Sequence, residues 1–204
     1  MSIRRTRLLD RRTNVRDARL YIIATEGEKT EKAYFDALFQ NPRVKVRVLS
    51  TGPDGYSGPR HVLDRLSAFR DEYDLGPEDE LWLMIDVDRQ RPEHLSPICQ
   101  EATQKGVFLA ISNPCFELWL YLHHADAEVT DADCKAVESR LRTLLGSYNK
   151  ANLDPARFAP HVADALRRAK ALHTTGDERW PAFPGTHVYK LVQRLPLPVA
   201  ATTP

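Results

Sequence analysis

The sequence has no long hydrophobic run and almost no excess of either charge. No apolar stretch approaches the roughly 20 residues that span a bilayer, and the first residues, MSIRRTRLLDRR, lack the apolar segment of a signal peptide. These absences predict a cytoplasmic protein with no membrane association. The formal net charge is +1, so a broadly basic nucleic-acid coat protein is excluded and any nucleic-acid surface must be local.

Cysteine is also scarce. Only Cys99, Cys115 and Cys134 are present. Their odd number and the lack of a CxxC spacing argue against both a disulfide framework and a structural zinc site. We therefore expect free thiols, mostly buried.

What the chain does contain is enough apolar sequence for one substantial core: 42% of its 204 residues are hydrophobic. Seven arginines in residues 1–19 predict a basic N-terminal arm. From residue 20 onward, apolar segments typical of strands alternate with segments of helical periodicity. The four predicted strands are 20–25, 43–50, 80–88 and 107–112.

This alternation predicts an α/β fold whose mostly parallel four-stranded sheet is flanked by helices and occupies residues 20–128. In the second strand, valine alternates with basic residues, which indicates a position at or near the edge of the sheet. Residues 129–195 show helical patterns only and predict a C-terminal helical extension that packs on the core. Residues 196–204 are expected to form a flexible tail.

Carboxylates follow two of the predicted strands. Glu26 comes just after the first strand, and Asp86 and Asp88 stand at the end of the third. Ligands bind at the carboxyl ends of parallel strands, so these three acids converge if the two strands are neighbours. Their mutual repulsion calls for a cation. Mg²⁺ prefers such oxygen ligands and supports phosphoryl chemistry; Glu31, on the following helix, would be an extra ligand.

The remaining acids of the segment ATEGEKTEKAYFD have a simpler interpretation. Glu28 suits a helix N-terminus, where negative charge is stabilised, and Asp36 suits the solvated face of the same helix.

The acidic motifs resemble those of a known domain. EG after the first strand and DxD after the third resemble the motifs of toprim domains. The segments TEGEKTEKAYF, IDVDR, SNPCFELWLYLH, SYNK and THVYKLVQRL resemble the RloB-like family, related to OLD-type nucleases, from about Arg11 to Leu195. The resemblance implies a toprim-like fold, Mg²⁺ dependence, nuclease activity and a role in bacterial phage defence or a restriction-linked system, often beside an ABC-type ATPase partner. It makes Glu26, Asp86 and Asp88 metal ligands, with Glu31 as a contributor.

The segment NPCFELWLYLHH predicts a buried helix, with Asn113 as its cap and Pro114 at its first position. Glu117 lies inside this helix and needs a partner, because an unpaired buried charge is costly. Two interpretations of Glu117 fit the sequence equally well. It forms an ion pair with a lysine or arginine, or it lies at the metal edge as a ligand or an orienting group.

Several residues are candidates for contact with phosphate. Lys150, in SYNK, is expected to stabilise charge on a transferring phosphoryl group, although an ordinary surface lysine has the same sequence signature. The loop GPDGYSGPR has glycines and a helix start that could hold phosphate, or it is a plain turn. The candidates are Lys29, Ser57, Gly58, Arg89, Arg91 and Lys150.

Two functions compete on this basis. The first is a nuclease dependent on Mg²⁺ or Mn²⁺ that acts on DNA or RNA, with Glu26, Asp86, Asp88 and Lys150 as catalytic residues. The second is a non-catalytic regulatory subunit that binds nucleic acid or a nucleotide within an ATPase-containing defence complex. A homo-oligomer is compatible with either function.

Overall fold

The computed structural model describes residues 18–52, 55–87, 91–127, 133–173 and 178–197. The predicted N-terminal arm and tail lie almost entirely outside these residues, as do Asp88 and Arg89. The described chain forms a sheet flanked by helices on both faces. Its strands are β1 (Arg19–Thr25), β2 (Val44–Leu49), β3 (Glu80–Asp86), β4 (Phe108–Asn113) and β5 (Gly185–Thr186).

The strand order is β2-β1-β3-β4-β5. The first four strands pair in parallel, as the alternating pattern predicts, and β2 lies at the edge. A fifth strand, absent from the sequence-based expectation, pairs antiparallel to β4. Because β5 has only two residues, it carries no periodicity that sequence analysis could detect.

The helices are consistent with the expected α/β class. They are α1 (Thr30–Leu38), α2 (Pro59–Glu72), α3 (Pro92–Gln104), α4 (Phe116–Tyr121), α5 (Cys134–Leu145), α6 (Val162–Leu172) and α7 (Val188–Val192). The last three and β5 come from the part of the chain expected to be helical throughout. That part therefore also contributes a short strand to the sheet.

Each face of the sheet has its own core. In β1, Tyr21 and Ile23 belong to one buried cluster, whereas Leu20, Ile22 and Ala24 belong to the other. Successive side chains of a strand point to opposite faces, so a strand covered on both faces becomes a continuous apolar run. Burial of each large apolar side chain stabilises the fold by about 1.5–3 kcal/mol.

The first cluster also joins the later helices to the sheet. Tyr34 of α1 lies against the rings of Phe116 and Trp119, and Val137 and Val162 from α5 and α6 belong to the same cluster. The second cluster is built on α2 and α3.

A buried carboxylate fixes the amino end of β3. Glu80 is 4% exposed. It forms ion pairs with Arg19 and Arg194 and accepts a hydrogen bond of 2.9 Å from the indole N–H of Trp82. A buried charge requires partners of this kind. The group therefore ties β1, β3 and the segment after α7 together at the amino ends of the strands, opposite the acidic residues.

None of the helices in the described ranges combines the length and the apolar character that crossing a membrane requires.

Candidate metal centre and active site

Two of the predicted acidic residues meet at the carboxyl ends of neighbouring strands. Glu26 follows β1 directly and Asp86 ends β3, and these strands pair side by side. Glu26 Oε2 accepts a hydrogen bond of 3.1 Å from the backbone N–H of Asp86. Both residues are partly exposed. The sheet therefore places two carboxylates at one solvent-accessible edge.

Glu31 extends this acidic edge from the first turn of α1. It is 8% exposed, and burial, aided by the nearby Glu117 charge, raises the pKa of its carboxyl from 4.5 to about 7. The Glu31 side chain occupies the space that a side chain at Gly27 would need, since a Cβ at Gly27 would lie 1.9 Å from Glu31 Oε2. The glycine in the EG motif thus permits a carboxylate to lie against the loop after β1.

A cavity of about 780 Å³ opens at this edge. Its walls come from the loop after β1, the start of α2, and the segments around α4 and α5. The sequence-predicted site residues that line it are Glu26, Lys29, Glu31, Ser57, Gly58, Asp86, Glu117 and Lys150. Residues from distant parts of the chain therefore border one space.

Other predicted residues lie apart from the centre. Arg91 is outside the cavity lining, and its side chain is 77% exposed, with its guanidinium 4.0 Å from Glu93. Lys29 borders the cavity but is also exposed, 3.9 Å from Glu28. Asp36 pairs with Lys32 on the outer side of α1.

Lys150 is held by two carboxylates. Its Nζ lies 2.9 Å from Glu117 Oε1 and 2.6 Å from Glu138 Oε1. Burial disfavours the charged amine, but these two glutamates outweigh that effect and raise the pKa of Lys150. The backbone of the same loop is anchored to α1, because the Thr30 hydroxyl donates a 3.0 Å hydrogen bond to the Lys150 carbonyl.

Glu117 has contacts that bear on both alternatives left open for it. It pairs with a lysine, as a buried charge requires, and it lines the cavity that contains Glu26 and Asp86. Its Oε1 also accepts a 3.1 Å hydrogen bond from the Tyr148 hydroxyl. Burial and the adjacent Glu117 charge raise the pKa of Tyr148, so this tyrosine remains a proton donor.

The start of α4 differs from the predicted cap. The helix begins at Phe116, Cys115 is the N-cap residue, and Asn113 is the last residue of β4. The Asn113 side-chain amide instead donates to the Pro181 carbonyl. A cis peptide bond joins Asn113 to Pro114.

The cysteine prediction was wrong for two of the three residues. Cys115 and Cys134 form a disulfide, and only Cys99 is a free, buried thiol. The two joined residues are 19 positions apart. No spacing rule links them, because it is the packing of α4 beside α5 that brings the starts of these helices together.

Sequence analysis missed three participants in the site. Glu138 resembles an ordinary helix charge, and nothing in its surroundings in the sequence marks it. Tyr148 stands in the SYNK segment, so its position beside Lys150 was the available signal. Arg65 donates hydrogen bonds to the Thr25 carbonyl and, at 3.3 Å, to the Thr51 hydroxyl, which fixes the loop around Glu26.

The donor set at the edge suits a hard divalent cation. Glu26, Glu31 and Asp86 offer oxygen ligands only and border a cavity with room for water. Mg²⁺ binds through one or two carboxylates and keeps several waters. This donor set is compatible with the ligand preferences of Mg²⁺ or Mn²⁺, and Glu26 and Asp86 are the two carboxylates that strand geometry brings together.

A comparison with models of protein families gives a match. The family model described as RloB-like protein matches residues 21–195, which include all the described residues of the candidate site. Neither the curated proteins nor the solved structures include a match to this chain.

Proposed function

The chain belongs to the RloB-like family, and from this membership and the acidic edge of its sheet we propose that it is a nuclease dependent on Mg²⁺ or Mn²⁺ that hydrolyses phosphodiester bonds in DNA or RNA. The observation that carries the proposal is the juxtaposition of Glu26 and Asp86 within the cavity. The toprim-like sheet order, with β1 beside β3, supports it.

The chain's own residues have distinct roles in this reaction. Glu26 and Asp86 would hold the cation, with Asp88 and Glu31 as further ligands. When bound, the cation would supply a positioned water nucleophile and stabilise the leaving oxygen. Glu31, whose carboxyl has a pKa of about 7, can hold or release a proton at neutral pH.

Cationic and loop residues complete the site. Lys150 contributes positive charge to the cavity wall, and Glu117 and Glu138 fix its position. Lys29, Ser57 and Gly58 border the cavity where a nucleic-acid backbone would approach. We also propose, from the family resemblance, a role in phage defence or a restriction-linked system with an ABC-type ATPase partner.

A comparison of three proteins tests the proposal. Wild type, Asp86→Ala and Asp36→Ala are incubated with labelled DNA and with total RNA, with and without Mg²⁺ or Mn²⁺. Asp36 is the matched control because it is an acid on the outer side of α1, paired with Lys32. We expect cation-dependent cleavage by wild type and Asp36→Ala, and its loss in folded Asp86→Ala. Unchanged cleavage by Asp86→Ala would refute the proposed site.

A second candidate function is favoured by the contacts of Lys150. Its ammonium group already has two carboxylate partners, so much of its positive charge is compensated before any phosphate binds. A non-catalytic regulatory subunit does not need Lys150 to stabilise charge on a transferring phosphoryl group. Binding of labelled nucleic acid without cleavage, under all the cation conditions above, would favour this function.

A further inference from the structure

A second cluster with metal-ligand chemistry lies beside the acidic edge. It consists of Cys115 at the N-cap of α4, Glu117 in the first turn of α4, and Cys134 at the start of α5. One potential ligand atom from each residue lies within 4.8 Å of the other two. Among the histidine, cysteine, aspartate and glutamate residues in the described ranges, these three have ligand atoms that all lie within 4.8 Å of one another.

The surroundings of Cys134 suit a cation once the disulfide is reduced. Its sulfur lies 3.4 Å from Glu117 Oε2 and 3.5 Å from Glu138 Oε1. A disulfide sulfur has no proton to donate to either oxygen. Tyr148 and Lys150 both contact the other oxygen of Glu117, Oε1. Glu117 is 4% exposed, and a buried carboxylate oxygen without a donor or cation is costly.

We propose that the reduced protein binds a soft divalent cation such as Zn²⁺ through Cys115, Cys134 and Glu117. Tetrahedral zinc with Zn–S of about 2.3 Å and Zn–O of about 2.0 Å separates sulfur from oxygen by about 3.5 Å. The observed separation of Cys134 Sγ from Glu117 Oε2 is 3.4 Å. This site goes beyond the proposed nuclease centre, whose ligands are oxygen atoms.

The two cysteine sulfurs must move apart for this coordination. Their Cα atoms are 5.7 Å apart, and rotation about the two Cα–Cβ bonds would bring the separated thiolates to about 3.8 Å, the edge of a tetrahedron around zinc. Binding one divalent cation releases two thiol protons, so the net charge of the cluster is unchanged. Cys134 lines the cavity, which gives the cation a path from solvent.

Ligand type distinguishes the two centres. Thiolates favour zinc and related soft ions, whereas Mg²⁺ and Mn²⁺ favour carboxylate and water. The cation would link the first turn of α4 to the start of α5, and so hold the cavity wall that carries Glu117.

Cobalt is a spectroscopic probe for this site, because thiolate ligands give Co²⁺ an intense near-ultraviolet charge-transfer absorption. The full-length protein is reduced, freed of metal with a chelator, and titrated with Co²⁺ under anaerobic conditions. We expect one thiolate-bound Co²⁺ per chain, with an absorption band that added Zn²⁺ abolishes and excess Mg²⁺ does not.

Variants assign the ligands. Cys115→Ser and Cys134→Ser are expected to lose the band, and Glu117→Gln to weaken Co²⁺ binding by at least about tenfold. Cys99→Ala is the matched control, since Cys99 is buried in the cluster on the other face of the sheet; it should retain the band. Asp86→Asn should retain it too, which separates this site from the nuclease centre. Circular dichroism confirms that each variant is folded.

Two results would overturn the proposal. One is the absence of a thiolate band in wild-type protein whose thiols have been shown by titration to be fully reduced. The other is a band of full intensity in folded Cys134→Ser.

Discussion

The acidic edge is expected to make folding stability depend on pH through Glu31. Because burial raises the pKa of this carboxyl from 4.5 to about 7, the folded protein binds the proton more tightly than the unfolded chain does. Below about pH 4.5, Glu31 is protonated in both states and does not lower the free energy of unfolding. As the pH rises, the buried carboxyl lowers the free energy of unfolding progressively, and the loss reaches its full size above about pH 7.

The size of the effect follows from the two pKa values. A tenfold difference in proton affinity corresponds to about 1.4 kcal/mol, so this loss is about 1 kcal/mol at pH 5, about 2 at pH 6 and about 3 at pH 8. Glutamine has almost the same shape as protonated glutamate and does not ionise. Glu31→Gln should therefore increase the free energy of unfolding of the metal-free protein by these amounts, most at alkaline pH.

Urea denaturation with a chelator present, at several values between pH 5 and pH 8, measures the difference directly. Glu28→Gln is the matched control, because it removes the same charge from a side chain that is 68% exposed; we expect it to change stability by less than about 0.5 kcal/mol. If the stabilities of wild type and Glu31→Gln differ by the same amount at every pH, the reasoning is wrong.

The same pair of proteins tests metal binding. A divalent cation at the acidic edge stabilises the ionised form of Glu31. Mg²⁺ or Mn²⁺ should then raise the stability of wild type at pH 8 more than that of Glu31→Gln. Equal stabilisation would remove Glu31 from the ligand set.

Four further substitutions test other contacts. Gly27→Ala places a methyl group 1.9 Å from a Glu31 oxygen and should lower both the melting temperature and cation-dependent cleavage. Gly58→Ala is the control, because an added Cβ there meets nothing within 4 Å; it should leave the melting temperature unchanged. Glu80→Gln weakens the ion pairs to two half-exposed arginines and should lower the free energy of unfolding, measured by urea denaturation, by about 1–3 kcal/mol. An unchanged urea midpoint would contradict this prediction. Lys150→Met removes the cation between two glutamates and should cost about 1–3 kcal/mol in urea denaturation. An unchanged midpoint would show that the lysine does not compensate them.

Part of the site could be predicted because it follows from the direction of the strands. Glu26 and Asp86 each stand at the carboxyl end of an apolar run, and parallel strands bring those ends to one edge. The remaining condition, that β1 and β3 are neighbours, is satisfied in the structure. The DxD motif was predicted as a unit, but its second acid, Asp88, lies outside the described residues.

The contacts of Glu117 were only partly predictable. Burial within an apolar helix shows that this acid needs a positive partner. It does not show which of the 29 lysines and arginines in the chain supplies that partner. Lys150 does so because the loop after α5 returns to α1 and is held there by the hydrogen bond from Thr30.

By itself, the sequence determined the features that depend on local pattern. Apolar runs and helical periodicity specify a parallel α/β sheet, and their order along the chain specifies which ends carry Glu26 and Asp86. Tertiary structure alone decided the contacts between segments that share no local pattern. These are the disulfide between Cys115 and Cys134, the ion pairs of Lys150 with two glutamates, and the pairing of β5 with β4. Each arises because folding brings together backbone segments that are far apart in sequence.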